Sequence, residues 1–381
     1  MLEGKGIAVE WARELAEGKK DLIRLETADP NFDTPPHIIE AARKALDRGH
    51  THYTDFQGLP ELREAIAEKL EAEAGVSYNP DTEILVTSGT AESIYIAIQG
   101  TINPGDKVIL TDPTYLIFEP CVMLAGGIVV RVPLIEGSGW TLDAKELKAR
   151  VGPRTKAIII NSPNNPTGTV FSRTELEQVA EVALENDLIV LFDMLFDKLV
   201  FAGEKMENVA SIPGMKARTI LLGGFSKVYS MCGFRVGWLA ADAELVSWLT
   251  NTLHLYVSIC ASGIAQEAAI AALRGSQDWL EEWVTSYQQR RDLLVEGLNS
   301  IDGIRCQWPK GGYFVFPDVS EIVKDAYKFA QRLIDEAGVV VTPGPDYGPQ
   351  GKGHVRMVFG ATSEDGIREA VERMKRHLPF S

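Results

Sequence analysis

Hydrophobic residues in the middle of the chain form short continuous runs that are separated by longer amphipathic segments. The runs between residues 84 and 224 read ILVT, KVIL, IVVRV, KAIII, LIVLFD and TILLGG. Continuous apolar runs rich in β-branched residues predict strands buried on both faces, and most of the intervening segments are long enough for a helix. This alternation predicts an α/β fold with a mostly parallel sheet.

The two ends of the chain follow a different pattern. Residues 34–49, TPPHIIEAARKALDRG, combine a threonine cap, prolines in the first turn, apolar residues at helical spacing and a closing glycine, which predicts a helix. From about residue 276 a long charged helix is followed by short strands and two more amphipathic helices. We therefore expect a smaller α+β domain built from both chain ends, with residues 1–45 as an N-terminal arm and part of the small domain, 46–275 as the large domain and 276–381 as the small C-terminal domain.

Composition and charge narrow the classes of function. The chain of 381 residues has a formal net charge of −15, which argues against nucleic-acid and anionic-membrane partners. No stretch approaches roughly 18 uninterrupted apolar residues, and the N-terminus lacks an apolar signal core. The four cysteines lack metal-ligand spacing, and the histidines of HTH at 50–52 have no other ligands nearby. We expect a cytoplasmic protein with reduced thiols and no metal site.

Candidate chemistry follows the predicted strands, at the sheet edge where open parallel sheets bind ligands. The segment SGTAES, with Ser88, Gly89 and Thr90, presents small residues and free N–H groups at a helix start. That arrangement suits a phosphate, although an ordinary helix cap is the better explanation when the segment is taken alone. Asn165 lies in the turn NSPNNPTG and offers a side-chain amide, yet by itself this pattern indicates only a turn.

Two further strand ends carry a carboxylate and an amine. Asp193 closes a buried strand, where a charge is costly without a cation, although a cap or a salt bridge explains it equally well. Lys227 follows TILLGG in a Gly/Ser-rich turn, where a lysine can lose its proton and act as a nucleophile, and Arg235 lies eight residues later. Pyridoxal 5′-phosphate fits this set of groups, because its aldehyde condenses with a lysine, its phosphate binds a helix N-terminus and an arginine, and its ring nitrogen stays protonated beside a carboxylate.

The chain resembles the class I aminotransferases of the aspartate aminotransferase type, which are pyridoxal-phosphate enzymes of fold type I. The motifs that carry the resemblance run in order along nearly the whole chain: DPNFDTPP, YTDFQGLPELREAI, SGTAES, NSPNNPTG, FDMLFDKLVF, SKVYSMCGFRVG and HVRMVFGATSE. The SKxxxMxGxRxG pattern around Lys227 is highly specific. The resemblance implies a large domain with a mostly parallel seven-stranded sheet flanked by helices, and a ping-pong transfer of an amino group from an L-amino acid to a 2-oxo acid.

The resemblance also implies roles for individual residues around the cofactor. Lys227 forms the Schiff base, the internal aldimine, and then moves a proton, while Asp193 pairs with the ring nitrogen. Asn165 bonds the ring oxygen O3′, and Tyr115 stacks on the ring face. The residues expected to hold the phosphate or flank it are Ser88, Gly89, Thr90, Ser226 and Arg235.

Substrate binding and assembly are implied in the same way. Arg356 grips the substrate α-carboxylate as a two-pronged partner, with Asn165 and Ala28 beside it. Tyr53 reaches the phosphate of the neighbouring subunit, so a homodimer is expected.

Three positions depart from the family pattern. Phe196 replaces a common tyrosine near O3′, Gly224 replaces a serine on the phosphate, and Ala28 replaces a glycine near the substrate carboxylate. These changes leave open a lyase, synthase or oxidase that uses the same cofactor without completing amino transfer. A non-catalytic cofactor-binding regulatory domain is a further alternative, although such proteins usually carry a basic DNA-binding module, which this sequence does not show.

Overall fold

The computed structural model describes residues 8–201 and 203–378. Residues 1–7 of the predicted N-terminal arm and 379–381 of the predicted C-terminal domain lie outside the described residues. The helices are α1 (Ala8–Ala16), α2 (Pro36–Asp47), α3 (Pro60–Ala74), α4 (Thr90–Thr101), α5 (Phe118–Leu124), α6 (Ala144–Arg150), α7 (Arg173–Glu185), α8 (Ala243–Leu249), α9 (Leu255–Val257), α10 (Gly263–Arg274), α11 (Asp278–Asn299), α12 (Ala326–Arg332) and α13 (Glu364–His377). The strands are β1 (Ile23–Arg24), β2 (Ile84–Thr87), β3 (Lys107–Asp112), β4 (Ile128–Pro133), β5 (Thr155–Asn161), β6 (Ile189–Asp193), β7 (Thr219–Gly224), β8 (Gly237–Ala240), β9 (Phe314–Val315), β10 (Val339–Val340), β11 (Thr342–Pro343) and β12 (Val355–Val358).

A seven-stranded sheet with the strand order β2-β8-β7-β6-β5-β3-β4 organises the molecule. Strands β7, β6, β5, β3 and β4 are parallel to one another. Strand β8 is antiparallel to both of its neighbours, β2 and β7. The prediction of an α/β fold with a mostly parallel sheet is therefore confirmed. The six apolar runs correspond to β2–β7, but the run-based pattern misses β8, whose four residues GWLA begin with glycine.

The main sheet is covered on both faces, which explains the continuous apolar runs. In β5, Ala157 and Ile159 face one hydrophobic core while Ile158 and Ile160 face the other. Successive side chains of a strand point to opposite faces, so a strand between two cores needs apolar residues at every position. Helices α4, α5 and α8 close one core, and α3, α7 and α11 contribute to the other.

The two ends of the chain pack together beside this sheet. Strand β1 pairs in parallel with β10, and β9, β12 and β11 form a small antiparallel sheet. Helix α1 packs against α12 and β11. The expectation that the N-terminal arm packs with the C-terminal segments is therefore confirmed for the described residues.

The helix expected at residues 34–49 is present as α2, but its predicted threonine cap is wrong. Pro35 occupies the N-cap position with no side-chain cap, and the first turn starts at Pro36. The Thr34 hydroxyl instead donates a hydrogen bond to the Ser230 carbonyl oxygen at 2.6 Å. The Thr34 side chain thus makes a tertiary contact, and no side-chain oxygen caps α2.

Candidate active site

The candidate active site lies at the edge of the main sheet where the parallel strands end. Asn161 of β5 and Asp193 of β6 are paired in register, and the Asn161 side chain donates to the Asp193 carbonyl oxygen at 3.3 Å. A cavity of about 330 Å³ opens beside them. Its lining includes Tyr115, Asn161, Asn165, Asp193, Lys227 and Arg356. Side chains from distant parts of the sequence therefore meet in one cavity.

Asp193 is a buried acid that has no cationic partner in the described part of the chain. Only 2% of the residue is exposed, and its Oδ1 accepts a hydrogen bond from the Leu195 N–H at 3.0 Å. It takes part in no ion pair among residues 8–201 and 203–378. Burial raises the pKa of the carboxyl to about 7, and the Leu195 N–H opposes this only in part. Such a carboxylate suits a cationic group of a ligand.

The loop after β7 brings the Lys227 amine to the same cavity. Its Nζ donates to the Ala28 carbonyl oxygen at 2.5 Å and lies 3.6 Å from Cys232 Sγ. Burial lowers the pKa of the amine, and the charge of Arg356 adds to this lowering while Cys232 partly opposes it. A neutral amine is a nucleophile and a proton acceptor, so Lys227 can bond to an aldehyde and can move a proton.

Arg356 of β12 supplies a buried guanidinium. The residue is 2% exposed, its Nη1 donates to Asn165 Oδ1 at 3.2 Å, and its Nη2 donates to the Glu26 carbonyl oxygen at 2.6 Å. Within the described part of the chain, its Nε has no hydrogen-bond partner and no carboxylate pairs with it. A buried guanidinium in this state is suited to a carboxylate supplied by a ligand.

The loop after β2 and the start of α4 form a cradle for an anion. Gly89 precedes α4 with a φ of 95°, and a Cβ added there would lie 2.7 Å from Arg235 Nη2. Arg235 takes part in no ion pair with an acid in the described ranges. Ser88 lies in the same loop, and its N–H donates to Glu92 Oε2 at 2.5 Å. A helix N-terminus beside an unpaired guanidinium is suited to a phosphate.

The departure at Gly224 has a steric explanation. A Cβ added at Gly224 would overlap the Thr90 hydroxyl, which donates to the Gly223 carbonyl oxygen at 2.9 Å. A serine at this position would therefore displace Thr90. In the loop that follows, Ser226 is buried and its carbonyl oxygen accepts from Cys232 Sγ at 3.1 Å.

Two aromatic residues form walls of the cavity. The Tyr115 ring packs edge-on against Phe118 with 5.7 Å between centroids, and burial raises the pKa of its phenol. Phe196 is 3% exposed and packs edge-on against Tyr313 at 5.2 Å. The Tyr313 hydroxyl donates to the Ala28 carbonyl oxygen at 3.1 Å, so it does not replace the hydroxyl that Phe196 lacks.

Tyr53 does not line this cavity within one chain. The residue is 78% exposed and lies in a separate surface cleft with Cys260 and Ser262. Within one chain, Tyr53 is therefore not brought together with Lys227, Asp193 and Arg356 in the cavity lining.

Sequence reasoning missed Asn161 and the N-terminal residues that line the cavity. Asn161 Oδ1 accepts from the Asn165 N–H at 2.7 Å and so orients the turn that carries the predicted amide. The signal was present, because asparagine closes a buried apolar strand just as Asp193 does. Val9 and Glu10 of α1 also line the cavity, but no local signal connects that helix with the strand ends.

A buried acid–histidine pair is hydrogen-bonded to the loop after β2. Glu92 of α4 lies 2.9 Å from His254 Nδ1 and accepts from the Ser258 hydroxyl at 2.7 Å. Burial opposes ionisation of Glu92, but the hydrogen bonds from His254, Ser258 and the Ser88 N–H outweigh it and lower the pKa of the carboxyl. The sequence pattern did not single out either residue of the pair.

No helix in the described ranges is long and apolar enough to cross a membrane. No group of three or more His, Cys, Asp or Glu residues is arranged there to hold a metal ion.

The chain is similar to known proteins over nearly its whole length. The model of the family described as "Aminotransferase class I and II" matches residues 20–374. The chain is 39% identical over 367 residues to aromatic-amino-acid aminotransferase 2 of Thermococcus litoralis, covering 96% of this chain and 94% of that one. It is 38% identical to the aspartate aminotransferase of Pyrococcus abyssi, again covering 96% and 94% of the two chains. The solved structure of aspartate aminotransferase from Thermus thermophilus with maleate matches with a TM-score of 0.92 at 36% identity, over 98% of this chain and 97% of that one.

Proposed function

The chain belongs to the class I and II aminotransferases, and we propose that the cavity at the strand ends is its active site, with Lys227 as the residue that carries the cofactor. The protein is a pyridoxal-phosphate-dependent enzyme that moves an amino group from an amino acid to a 2-oxo acid. The assignment of residues rests on one observation above the others. Among residues 8–201 and 203–378, a buried acid without a cationic partner, a buried guanidinium without a carboxylate and an amine of lowered pKa line a single cavity.

The residues present fit pyridoxal phosphate. Lys227 would hold its aldehyde, and Asp193 would pair with the protonated ring nitrogen, which supplies the cation that this buried carboxylate lacks. Gly89, Thr90 and Arg235 would hold the phosphate at the start of α4. When bound, the cofactor supplies an electron sink for the α-carbon of the substrate.

The protein's own side chains then have distinct tasks. Asp193 keeps the ring nitrogen protonated, since its carboxylate is more stable beside a positive charge than alone in a buried site. Lys227 would take the proton from the substrate α-carbon and deliver it to C4′, the carbon of the cofactor's aldehyde group. Arg356 orients the substrate by binding its α-carboxylate with two donors, and Asn165, which accepts from Arg356, holds the guanidinium in place.

We propose a homodimer in which Tyr53 reaches the active site of the neighbouring subunit. Tyr53 is 78% exposed, and Tyr256 is 85% exposed. Phe56, Trp248 and Val257 are further large hydrophobic residues with substantial exposure. Exposed large apolar side chains of this kind are typical of a protein–protein interface.

Domain division and location are further proposals. Residues 1–45 would form the N-terminal arm and part of the small domain, 46–275 the large cofactor-binding domain and 276–381 the small C-terminal domain. The pairing of β1 with β10 supports a small domain drawn from both ends. All four cysteines lie in the described ranges as free thiols, which supports a cytoplasmic location.

Amino transfer itself can be tested with two half-reactions. Protein loaded with pyridoxal phosphate is mixed with one L-amino acid, and the 2-oxo acid product is quantified. Pyruvate or 2-oxoglutarate is then added, and the new amino acid is quantified. Equal amounts of the two products are expected. A lyase, synthase or oxidase would release other products from the first step and would not return an amino group in the second.

Arg356→Lys is expected to raise KM for amino acids about 10- to 100-fold with a smaller change in kcat. An ammonium cannot reproduce the two-donor contact of a guanidinium, and a charge-assisted hydrogen bond is worth roughly 1.5–3 kcal/mol. Steady-state kinetics measure both constants. Arg274→Lys, at an exposed arginine of α10, is the matched control and should behave like the wild type. An unchanged KM for every amino acid in Arg356→Lys would exclude the role.

Phe196→Tyr is expected to lower, by roughly one pH unit, the pH at which the visible absorbance of the cofactor-loaded protein changes. A phenol that donates a hydrogen bond to the ring oxygen O3′ stabilises the negative charge of that oxygen. The oxygen then holds less strongly the proton on the nitrogen that joins Lys227 to the cofactor, so the pKa of that nitrogen falls. One hydrogen bond of about 1 kcal/mol corresponds to a shift of this size. Absorbance is measured against pH for both proteins. If the transition does not move down, Phe196 does not face that oxygen or another donor already fills the place.

A further inference from the structure

We infer that the substrate pocket of this enzyme selects amino acids with uncharged apolar side chains and discriminates against dicarboxylic amino acids. This inference rests on the proposed function, because it takes Lys227 and Arg356 as engaged by the cofactor and the α-carboxylate. The relatives include an aromatic-amino-acid aminotransferase and aspartate aminotransferases, so family membership leaves the side-chain class open.

Charge is the first argument. Among the described residues that line the cavity, the only cationic side chains are Lys227 and Arg356. Once these two are engaged, no cation in the cavity wall of this chain remains for a second carboxylate. The acids in the lining are Asp193 and Glu10. A side-chain carboxylate would therefore lose water without gaining a partner, and that loss is costly.

The walls that remain are apolar. After the cofactor contacts are set aside, Val9, Ala28, Leu116 and Leu195 are the aliphatic residues of the lining. All four are half-buried, so they present carbon surface to the cavity rather than being sealed in the core. An uncharged substrate side chain would cover this surface and gain the free energy of burying it.

Helix α1, which forms one wall of the cavity, is fixed to the rest of the fold by several contacts. Helix α1 carries Val9 and Glu10, and the Ala8 N–H at its start donates to Asp346 Oδ2 at 2.7 Å. The Trp11 ring packs edge-on against Tyr327 with 4.9 Å between centroids. Ala12 is fully buried in a small core with Ile334, and Trp11 packs against the same core.

Glu10 adds a like charge where a dicarboxylate would extend. Its side chain is 56% exposed, and Arg13, which pairs with it at 3.5 Å, is equally exposed and lies outside the cavity lining. Water and salt screen such a charge, so Glu10 contributes less to the selection than the missing cation does.

The first experiment compares kcat/KM for leucine, phenylalanine, aspartate, glutamate and lysine as amino donors to the cofactor-loaded enzyme. Leucine and phenylalanine are expected to exceed aspartate and glutamate by at least about 100-fold, because an unpaired carboxylate must be desolvated. Aspartate or glutamate within about tenfold of leucine overturns the inference and would mean that the partner subunit supplies a cation. Lysine as the best donor also overturns it, in favour of a cationic side chain that pairs with Glu10.

A binding experiment separates this inference from the proposed function. Calorimetry on the cofactor-loaded protein compares 4-methylpentanoate and 3-phenylpropanoate with succinate and glutarate, none of which can transfer an amino group. The two monocarboxylates are expected to bind at least about tenfold more tightly than the dicarboxylates. Selective binding without amino transfer from any donor overturns the proposed function while the pocket assignment stands. Equal binding of both classes overturns the pocket assignment.

Variants of α1 test which of its side chains determines the selectivity for the amino donor. Val9→Lys adds a cation to the wall and is expected to raise kcat/KM for aspartate at least about tenfold while lowering it for leucine, whereas Val9→Gln, the uncharged control, lowers the value for leucine only. Glu10→Gln is expected to raise the value for aspartate two- to threefold, and Glu14→Gln, on the same helix outside the lining, to leave it unchanged. If Val9→Lys has no effect on aspartate while the protein stays folded by circular dichroism, α1 does not border the side-chain site.

Discussion

Lys227→Ala is expected to abolish amino transfer, with a loss of at least about a thousandfold in kcat, while part of the cofactor binding persists. The variant keeps Gly89 and Arg235 for the phosphate, but no amine remains at the cavity to bond the aldehyde or to carry the α-proton. In the wild type that amine lies deep enough for burial to lower its pKa. Turnover and cofactor content are measured on the same preparation.

The matched control is Lys310→Ala, at an exposed lysine that pairs with Glu204 and lies outside the cavity. It should retain full activity. Borohydride treatment of the cofactor-loaded wild type, followed by peptide mapping, should find the label on Lys227. A label on any other lysine, or appreciable turnover by Lys227→Ala, would show that the assignment is wrong.

Asp193→Ala is expected to lower kcat by about 10²- to 10³-fold, the cost typical of removing one preorganised charged or polar group at a reacting centre. Without the carboxylate, nothing in the lining keeps the ring nitrogen protonated, and the cofactor becomes a weaker electron sink. The substrate contacts proposed for Arg356 do not involve Asp193, so KM should move less than kcat. Asp187→Ala, at an acid exposed on the surface, is the matched control. A variant within a few-fold of the wild type would remove Asp193 from the mechanism.

The pH dependence of the folding stability distinguishes a catalytic role of Asp193 from a structural role. The pKa of Asp193 is raised to about 7 in the folded chain, so the carboxyl disfavours folding at pH values above its ordinary pKa, and the penalty is complete above about pH 7. Cofactor-free Asp193→Ala should therefore be at least as stable as the wild type at pH 8. Thermal denaturation at pH 8 and pH 5 measures this, with the benefit of the substitution shrinking at the lower pH. A large destabilisation at pH 8 would indicate a structural acid.

The local sequence pattern was sufficient to predict the strands β2–β7 and the polar side chains that follow them. Six continuous apolar runs predicted β2–β7, and the polar residues that follow them predicted Asn165, Asp193 and Lys227 as neighbours. The reason is geometric, because parallel strands joined by helices all end at the same edge of a sheet. A short segment therefore carries enough information to place its own last side chain at the site.

Contacts between distant segments were decided only by the tertiary structure. Arg356 meets Asn165 across 191 positions, and the start of α1 meets Asp346 across 338. The Thr34 hydroxyl donates a hydrogen bond to the Ser230 carbonyl oxygen, and the Thr34 side chain does not cap α2. Hydrophobic periodicity reports which face of an element is buried, but it does not report which other element covers that face. The outer wall that α1 contributes to the substrate cavity, with Val9 and Glu10, was therefore not accessible from the sequence, whereas the chemistry at the strand ends was.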